Sequence, residues 1–216
     1  YNALSQAEQT KDSLLISKVS HNLGMVFDEL EDYDEALQLF EKSLQISTLL
    51  KDTAQIARSY QNIAISYQNK KDLVKALEFN KLAHHLAILR KDTTMIIDVT
   101  NNFGTIAYDQ RKIDESLEYY RKALGLYEKI NDQHGIALSY NNIGLAWLDK
   151  KDYQVSLQYF MKSLKLANDL EMYDFTGDIY SNLTIYYEEL KDFKNAYFYY
   201  NKYNEVYDSL RSEEHT

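Results

Sequence analysis

The 216 residues include no proline, no cysteine and six glycines, and they carry a formal net charge of −9. This composition rules out disulfides, thiolate nucleophiles and thiolate metal sites, and it leaves the two strongest helix breakers nearly absent, so an almost wholly helical chain is expected. No stretch approaches the roughly 18 consecutive apolar residues of a membrane span, so direct membrane insertion is not expected, and the excess of acid argues against nucleic acid as a partner.

Along the chain one tripeptide returns every forty residues: Asn22-Leu23-Gly24, Asn62-Ile63-Ala64, Asn102-Phe103-Gly104, Asn142-Ile143-Gly144 and Asn182-Leu183-Thr184. Other columns keep the same step. Small residues stand at Ala36, Ala76, Ser116, Ser156 and Ala196. Bulky apolar ones stand at Tyr33, Leu73, Ile113, Tyr153 and Phe193, and aromatic ones at Phe40, Tyr120, Phe160 and Tyr200, with Asn80 in the second copy. A fixed period of this length means stacked units that bury a core only against their neighbours.

Lys11-Asp12 matches Lys51-Asp52 and Lys91-Asp92, so the pattern is already under way at Tyr1, and the chain is expected to be a fragment of a longer protein. The period divides it into the second half of a preceding repeat at 1–11, then repeats at 12–51, 52–91, 92–131, 132–171 and 172–210. A tail follows at 211–216, and all of it forms one solenoid domain.

Each unit reads as two antiparallel helices. In the first, Ile16, Val19, Leu23, Val26, Phe27 and Leu30 are expected to form the apolar face of the leading helix, and Leu37, Phe40, Leu44 and Ile46 that of the second. Asp32, Asp72, Asp152 and Asp192 open the second helices, and Asp12, Asp52, Asp92 and Asp132 the first. A carboxylate there accepts free backbone N–H groups and contributes about 0.5–2 kcal/mol per cap. Asp52-Thr53-Ala54-Gln55 has the form of a capping box. Glu171-Met172 breaks the pattern, and its cap is expected to move to Asp174.

The basic residues at the turns, Lys70-Lys71, Arg111-Lys112, Lys150-Lys151 and Lys191, are read as cations at helix C-termini rather than as a phosphate-binding stripe. The fifth unit is rich in tyrosine, with Tyr186, Tyr187, Tyr197, Tyr199, Tyr200, Tyr203 and Tyr207. An aromatic core and a docking surface are both open readings.

These columns resemble the tetratricopeptide repeat. Tyr60, Tyr140 and Tyr180 take its first aromatic place, and Phe27, Tyr67, Trp147 and Tyr187 the later one. Ser20, Thr100, Ala107 and Asn80 depart from the pattern, and the terminal proline is missing. The unit is similar in length to the long repeats of kinesin light chains and bacterial peptide-responsive regulators. Its Tyr, Asn and Lys bias resembles that of extracytoplasmic repeat regions in Bacteroidetes-type signalling proteins. The resemblance implies an all-α solenoid of antiparallel helix pairs forming a right-handed superhelix, with a periplasmic compartment and a cytoplasmic one as the alternative.

In that fold first helices line a concave groove, and side chains at i, i+4, i+7 and i+11 share a face. The rows are Lys18, Asn22, Met25, Glu29; Arg58, Asn62, Ile65, Asn69; Asp98, Asn102, Thr105, Asp109; Leu138, Asn142, Leu145, Asp149; and Asp178, Asn182, Ile185, Glu189. An amide is both donor and acceptor, so a line of Asn could pair with the backbone of an extended peptide without reading its sequence. The resemblance implies this role for Asn22, Asn62, Asn102, Asn142 and Asn182. The other reading is that each Asn ties adjacent first helices together. Lys18 and Arg58 make the early rows basic, whereas Asp98, Asp109 and Asp149 make later rows acidic, so a peptide's carboxylate end is expected toward the early rows.

No catalytic motif is present. His-Glu-x-x-His, a Gly-rich phosphate loop and Gly-x-Ser-x-Gly are all missing, and no cofactor is implied. His84-His85 are adjacent and point apart on a helix, and His21 reads as a solvated surface histidine, with a pH or ligand sensor as the alternative. The expectation is a protein- or peptide-binding scaffold without enzymatic activity, serving as the sensory region of a larger signalling protein. Two alternatives stay open: a regulatory module resembling response-regulator phosphatases, which would need a further N-terminal bundle, and a structural element that assembles with its own copies.

Overall fold

The computed structural model describes residues 2–10 and 12–213; Lys11 and the last three positions of the expected tail lie outside the described residues. Among the described residues the backbone forms α-helices and no strand, in two compact units. The first unit, residues 1–110, holds α1 (Asn2–Thr10), α2 (Ser13–Glu29), α3 (Tyr33–Leu49), α4 (Thr53–Asn69), α5 (Leu73–Arg90) and α6 (Thr93–Asp109). The second, residues 111–216, holds α7 (Ile113–Ile130), α8 (Gln133–Asp149), α9 (Tyr153–Asp169), α10 (Tyr173–Glu189) and α11 (Phe193–Glu213). Within each unit successive helices pack as antiparallel pairs, and each pair also packs on the next.

The turns explain the recurring basic residues. Lys51, Lys71, Lys91, Lys151 and Lys191 all adopt the left-handed conformation, with φ between 54° and 64°. At the end of α8, Lys151 N–H donates to the Leu148 carbonyl at 2.8 Å and Asp152 N–H to the Trp147 carbonyl at 3.1 Å, which satisfies the helix's last carbonyls. Asp152 is at the same time the N-cap of α9 and accepts from Val155 N at 3.2 Å. One residue thus closes one helix and opens the next, leaving no slack in the turn. Asp12, Asp32, Asp52, Asp72, Asp92, Asp132 and Asp192 also accept backbone N–H groups of the helix that follows.

Two expectations about caps are corrected. The cap of α10 stays at Met172, which makes no side-chain bond, and Asp174 lies inside the first turn. The geometry of the turn holds the boundary in place even where its carboxylate is missing. The capping box at Asp52 is half formed: Asp52 accepts from Ala54 N and Gln55 N, but Gln55 is buried and turns away, donating to Ser43 Oγ at 3.2 Å.

Several basic residues of the turns are also paired with carboxylates. Lys70 pairs with Asp34 and Lys150 with Asp114, while Arg111 reaches Asp149 at 3.2 Å and Lys71 reaches Asp109 at 3.7 Å. Pairs this exposed contribute at most about 1 kcal/mol each.

The core sits between the two helices of a pair and the first helix of the next. The leading helix contributes its small residues to it. In α2 the buried set is Ser17, Ser20, His21 and Gly24, whereas Val26 and Leu30 are 48% and 69% exposed, contrary to the apolar face expected there. A Cβ at Gly24 would stand 2.7 Å from Phe40 Cε1, and one at Gly144 would stand 2.7 Å from Phe160 Cδ1. The ring of the second helix fills the notch, so any larger side chain would be driven into it. Close approach also lets Ser17 Oγ donate to the Ser43 carbonyl at 3.2 Å and Ser163 Oγ to the Ala137 carbonyl at 2.7 Å.

His21 is buried, not solvated as expected. It is 6% exposed, its ring lies 5.5 Å from that of Phe40, and its Nδ1 has no hydrogen-bond partner. Burial, and then the charge of Arg58, hold its pKa down to about 4, against an ordinary 6.5. Between those values the unfolded chain binds a proton that the folded one does not.

Five outcomes follow from this architecture. Gly144→Val should lower the urea-unfolding free energy by about 2 kcal/mol through overpacking against Phe160, whereas Gly125→Ala in α7, where an added Cβ meets nothing within 4 Å, should raise it by roughly 0.5–1 kcal/mol. Lys151→Gly should also stabilise, by about 0.5–1 kcal/mol, because glycine takes the left-handed conformation without strain. Stability that is fully present above pH 6.5 should fall as the pH drops toward 4, and His21→Gln should flatten that slope in denaturation curves recorded at pH 7.5, 5.5 and 4.5.

Candidate peptide-binding groove

Within each unit the first helices touch one another directly, α2 with α4, α4 with α6 and α8 with α10. Their contacts are bridged by polar side chains about one repeat apart. Asn62 Nδ2 lies 3.3 Å from His21 Nε2, Ser66 Oγ and Asn69 Nδ2 both donate to Asp28, and Gln68 Nε2 donates to Asp109 at 2.8 Å. In the second unit Asn182 Nδ2 donates to Asn141 Oδ1 at 3.0 Å. Asn62 and Asn182 therefore each tie two first helices together. With Nδ1 unpaired and the neutral form favoured, His21 Nε2 can serve as the acceptor for Asn62.

The partner residues belong to a column that the groove rows did not use. It runs His21, Gln61, Asn101, Asn141 and Ser181, one place before each Asn and polar in every copy. His21, Asn101 and Asn141 are all buried. Forty-residue polarity at a buried position was the available sign of this second ladder.

The other amides differ. Asn22 is exposed, and Asn142 is half-buried. The Nδ2 of Asn102 is enclosed and has no hydrogen-bond partner among the described residues. An unspent amide donor on this face is a costly feature unless something accepts from it.

The charged members also have definite places. Lys18 is exposed, and Arg58 donates through Nε and Nη2 to Gln55 Oε1 at 3.2 and 3.0 Å, on its own helix. Asp98 is half-buried, Asp109 takes Gln68 and Lys71, and Asp149 takes Arg111. Leu138 is half-buried, and half-buried Leu145 packs against the core around Phe160 and Leu183.

One cavity of the first unit falls on two neighbouring rows. About 120 Å³ in volume, it is lined by Met25, Asp28, Glu29, Phe40, Asn62 and Ile65. Its walls are apolar, its rim carries two carboxylates, and an amide stands beside it. This arrangement can hold a short side chain while the amide addresses a backbone group. No cluster of His, Asp or Glu suited to a metal occurs among the described residues, and no helix among them is long and apolar enough to cross a membrane.

Comparison with known proteins bears on the fold. The tetratricopeptide-repeat profile matches residues 1–48, 15–88 and 95–169. No curated protein matches the chain by sequence. Among solved structures, BtubC (BKLC) from P. vanneervenii aligns with a TM-score of 0.74 at 18% identity, covering 97% of this chain and 89% of that one. A Rap protein complexed with Competence and Sporulation Factor aligns at 0.84 and 15% identity, covering 94% of this chain and 57% of the other. Aspartyl phosphate phosphatase F from Bacillus subtilis aligns at 0.71 and 20%, covering 90% and 49%. At these identities the likeness is one of fold, and this chain spans about half the length of the last two. With helix pairs, notch and profile in agreement, the chain belongs to the tetratricopeptide-repeat family, whose arrays are protein-interaction scaffolds.

Proposed function

We propose that this scaffold binds an extended peptide segment along the first-helix face, as the sensory portion of a larger signalling protein. The observation that carries the reading is the unspent Nδ2 of Asn102, an enclosed amide donor in the column shared with Asn22, Asn62, Asn142 and Asn182. The cavity beside Asn62 adds a place for a side chain next to that column. Asn62 and Asn182 tie neighbouring first helices together through one amide hydrogen each, and the amide has a carbonyl oxygen and a second hydrogen besides to offer a ligand. The amides are thereby pre-positioned, which lowers the entropy lost when a flexible segment is captured.

Charge orients the ligand within the first unit. Lys18 and Arg58 stand at the start of α2 and α4, and Asp98 holds the corresponding place on α6. A segment with its carboxylate end on α2 and α4 and a basic group toward α6 fits that order. The net charge of −9 makes nucleic acid a poor ligand for the same face. The Rap structure is complexed with Competence and Sporulation Factor, so an array of this fold is compatible with holding a ligand.

Asn102→Ala is the sharpest test, because that amide nitrogen makes no internal bond to lose. The variant should keep its melting temperature and bind a captured peptide about 2- to 12-fold more weakly, the equivalent of about 0.5–1.5 kcal/mol for one hydrogen bond. Peptides selected from a random library against the native chain would supply the ligand, with titration calorimetry as the readout. Unchanged affinity would return the column to a purely structural role.

A further inference from the structure

We infer that the second unit carries a binding site for a small zwitterion of dipeptide size, on the side of α8 turned away from the candidate groove. The groove row of α8 is Leu138, Asn142, Leu145 and Asp149. Tyr140 lies two residues from both Leu138 and Asn142, and Ile136 two from Leu138, which puts both on the opposite side of the helix. There they border a cavity of about 370 Å³, closed on one flank by Glu128 from the end of α7 and on the other by Lys162, Lys165 and Asp169 of α9. That volume falls at the lower end of the roughly 300–1,000 Å³ of small-molecule sites.

Two charges of each sign surround this space, and among the described residues none of the four forms an ion pair. Lys42 and Lys202, in the same column as Lys162, are paired with Glu8 and Glu205. Lys162 is held by rings instead. Its Nζ lies 5.5 Å from the centre of Tyr140 and 5.2 Å from that of Tyr159, and the two rings are 5.9 Å apart. The ammonium is thereby positioned without a counter-ion. Lys165 follows three residues later on the same helix face. Glu128 acts on the same tyrosine: burial first, then this carboxylate and then Tyr159 raise the Tyr140 phenol above its ordinary pKa.

The equivalent corner of the first unit shows that packing does not require these charges. Tyr60 and Phe79 form the same ring pair there, 6.0 Å apart. Ile56 and Leu86 match the apolar floor of Ile136 and Leu166, but Thr48, Leu82, His85 and Leu89 stand where Glu128, Lys162, Lys165 and Asp169 stand eighty residues later. Rings and floor are kept, and only the rim changes. An anion alone would leave both carboxylates unmatched, and a cation alone both lysines. A ligand with one charge of each sign and an apolar body satisfies the whole site: its carboxylate between Lys162 and Lys165, its ammonium toward Glu128 and Asp169, its side chains on Ile136 and Leu166.

The probe is leucyl-leucine titrated into the isotope-labelled full chain and followed by amide NMR shifts. Two blocked forms accompany it: N-acetyl-leucyl-leucine, which lacks the cation, and leucyl-leucinamide, which lacks the anion. The free dipeptide should bind about 2- to 5-fold more tightly than either at low salt, in line with exposed charge pairs, and the shifts should centre on Tyr140 and Lys165. Lys165→Gln should remove the advantage of the carboxylate and leave leucyl-leucinamide binding unchanged. Glu128→Gln should remove the advantage of the ammonium and leave N-acetyl-leucyl-leucine binding unchanged. Both side chains are exposed, so neither variant should alter the melting temperature. Asn102→Ala should not affect the dipeptide, and Lys165→Gln should not affect peptide capture in the groove, so each site can fail without the other. Absence of shifts, equal affinity for free and blocked dipeptides, or shifts that centre on Asn102 would overturn the inference.

Discussion

The structure depends on a ring seated in a notch. Gly24 and Gly144 have no side chain where Phe40 and Phe160 arrive, and the rings come so near that an added Cβ would overlap them. Once the ring is in place, the two helices of a pair are close enough for Ser17 to reach the backbone of Ser43 and for Ser163 to reach that of Ala137. Where the second repeat carries Asn80 in place of a ring, the neighbouring position is Ala64 and the amide donates to the Val99 carbonyl at 3.1 Å, so the site stays closed by a hydrogen bond instead of apolar mass. Each notch is completed only by the next helix pair, and stability accumulates between neighbours instead of in one central core.

The turns make this packing repeatable. A left-handed residue and a capping aspartate leave the chain one way to leave a helix and one way to enter the next. Lysine in the left-handed region is strained, yet its charge offsets the helix terminus it follows. Such a fixed link passes the orientation of one pair to the next. It is why the N-cap of α10 stays at Met172 although no carboxylate is there to hold it.

On the first-helix face the same economy gives polar residues two tasks. Asn62 and Asn182 bridge neighbouring helices and still show part of their amides outward, whereas Asn102 leaves a donor uncommitted. A wall built from mutually bonded amides is stiff, and stiffness is what a scaffold needs if capture is to cost little entropy. In the last described pair the same columns are placed differently. Phe193, Tyr197 and Tyr200 occupy columns that are covered elsewhere by a following helix, so chemistry that is interior in α3 and α9 becomes surface in α11.

Helix content, the forty-residue frame, the capping aspartates and the columns of small and aromatic residues were all legible in the sequence, because each is set by local spacing and residue chemistry. Burial was not. Val26 and Leu30 satisfy the helical period of an apolar face but point to solvent, whereas Ser17, Ser20 and His21 are enclosed, because the core of a stacked pair admits only what the neighbouring ring leaves room for. The partners of the groove amides were likewise invisible to a reading along one helix, since His21 and Asn141 lie about forty residues from the groups they meet. Periodicity by itself determined which residues are equivalent, and only the packing of one helix against the next decided which of those equivalents are buried, bonded or left open.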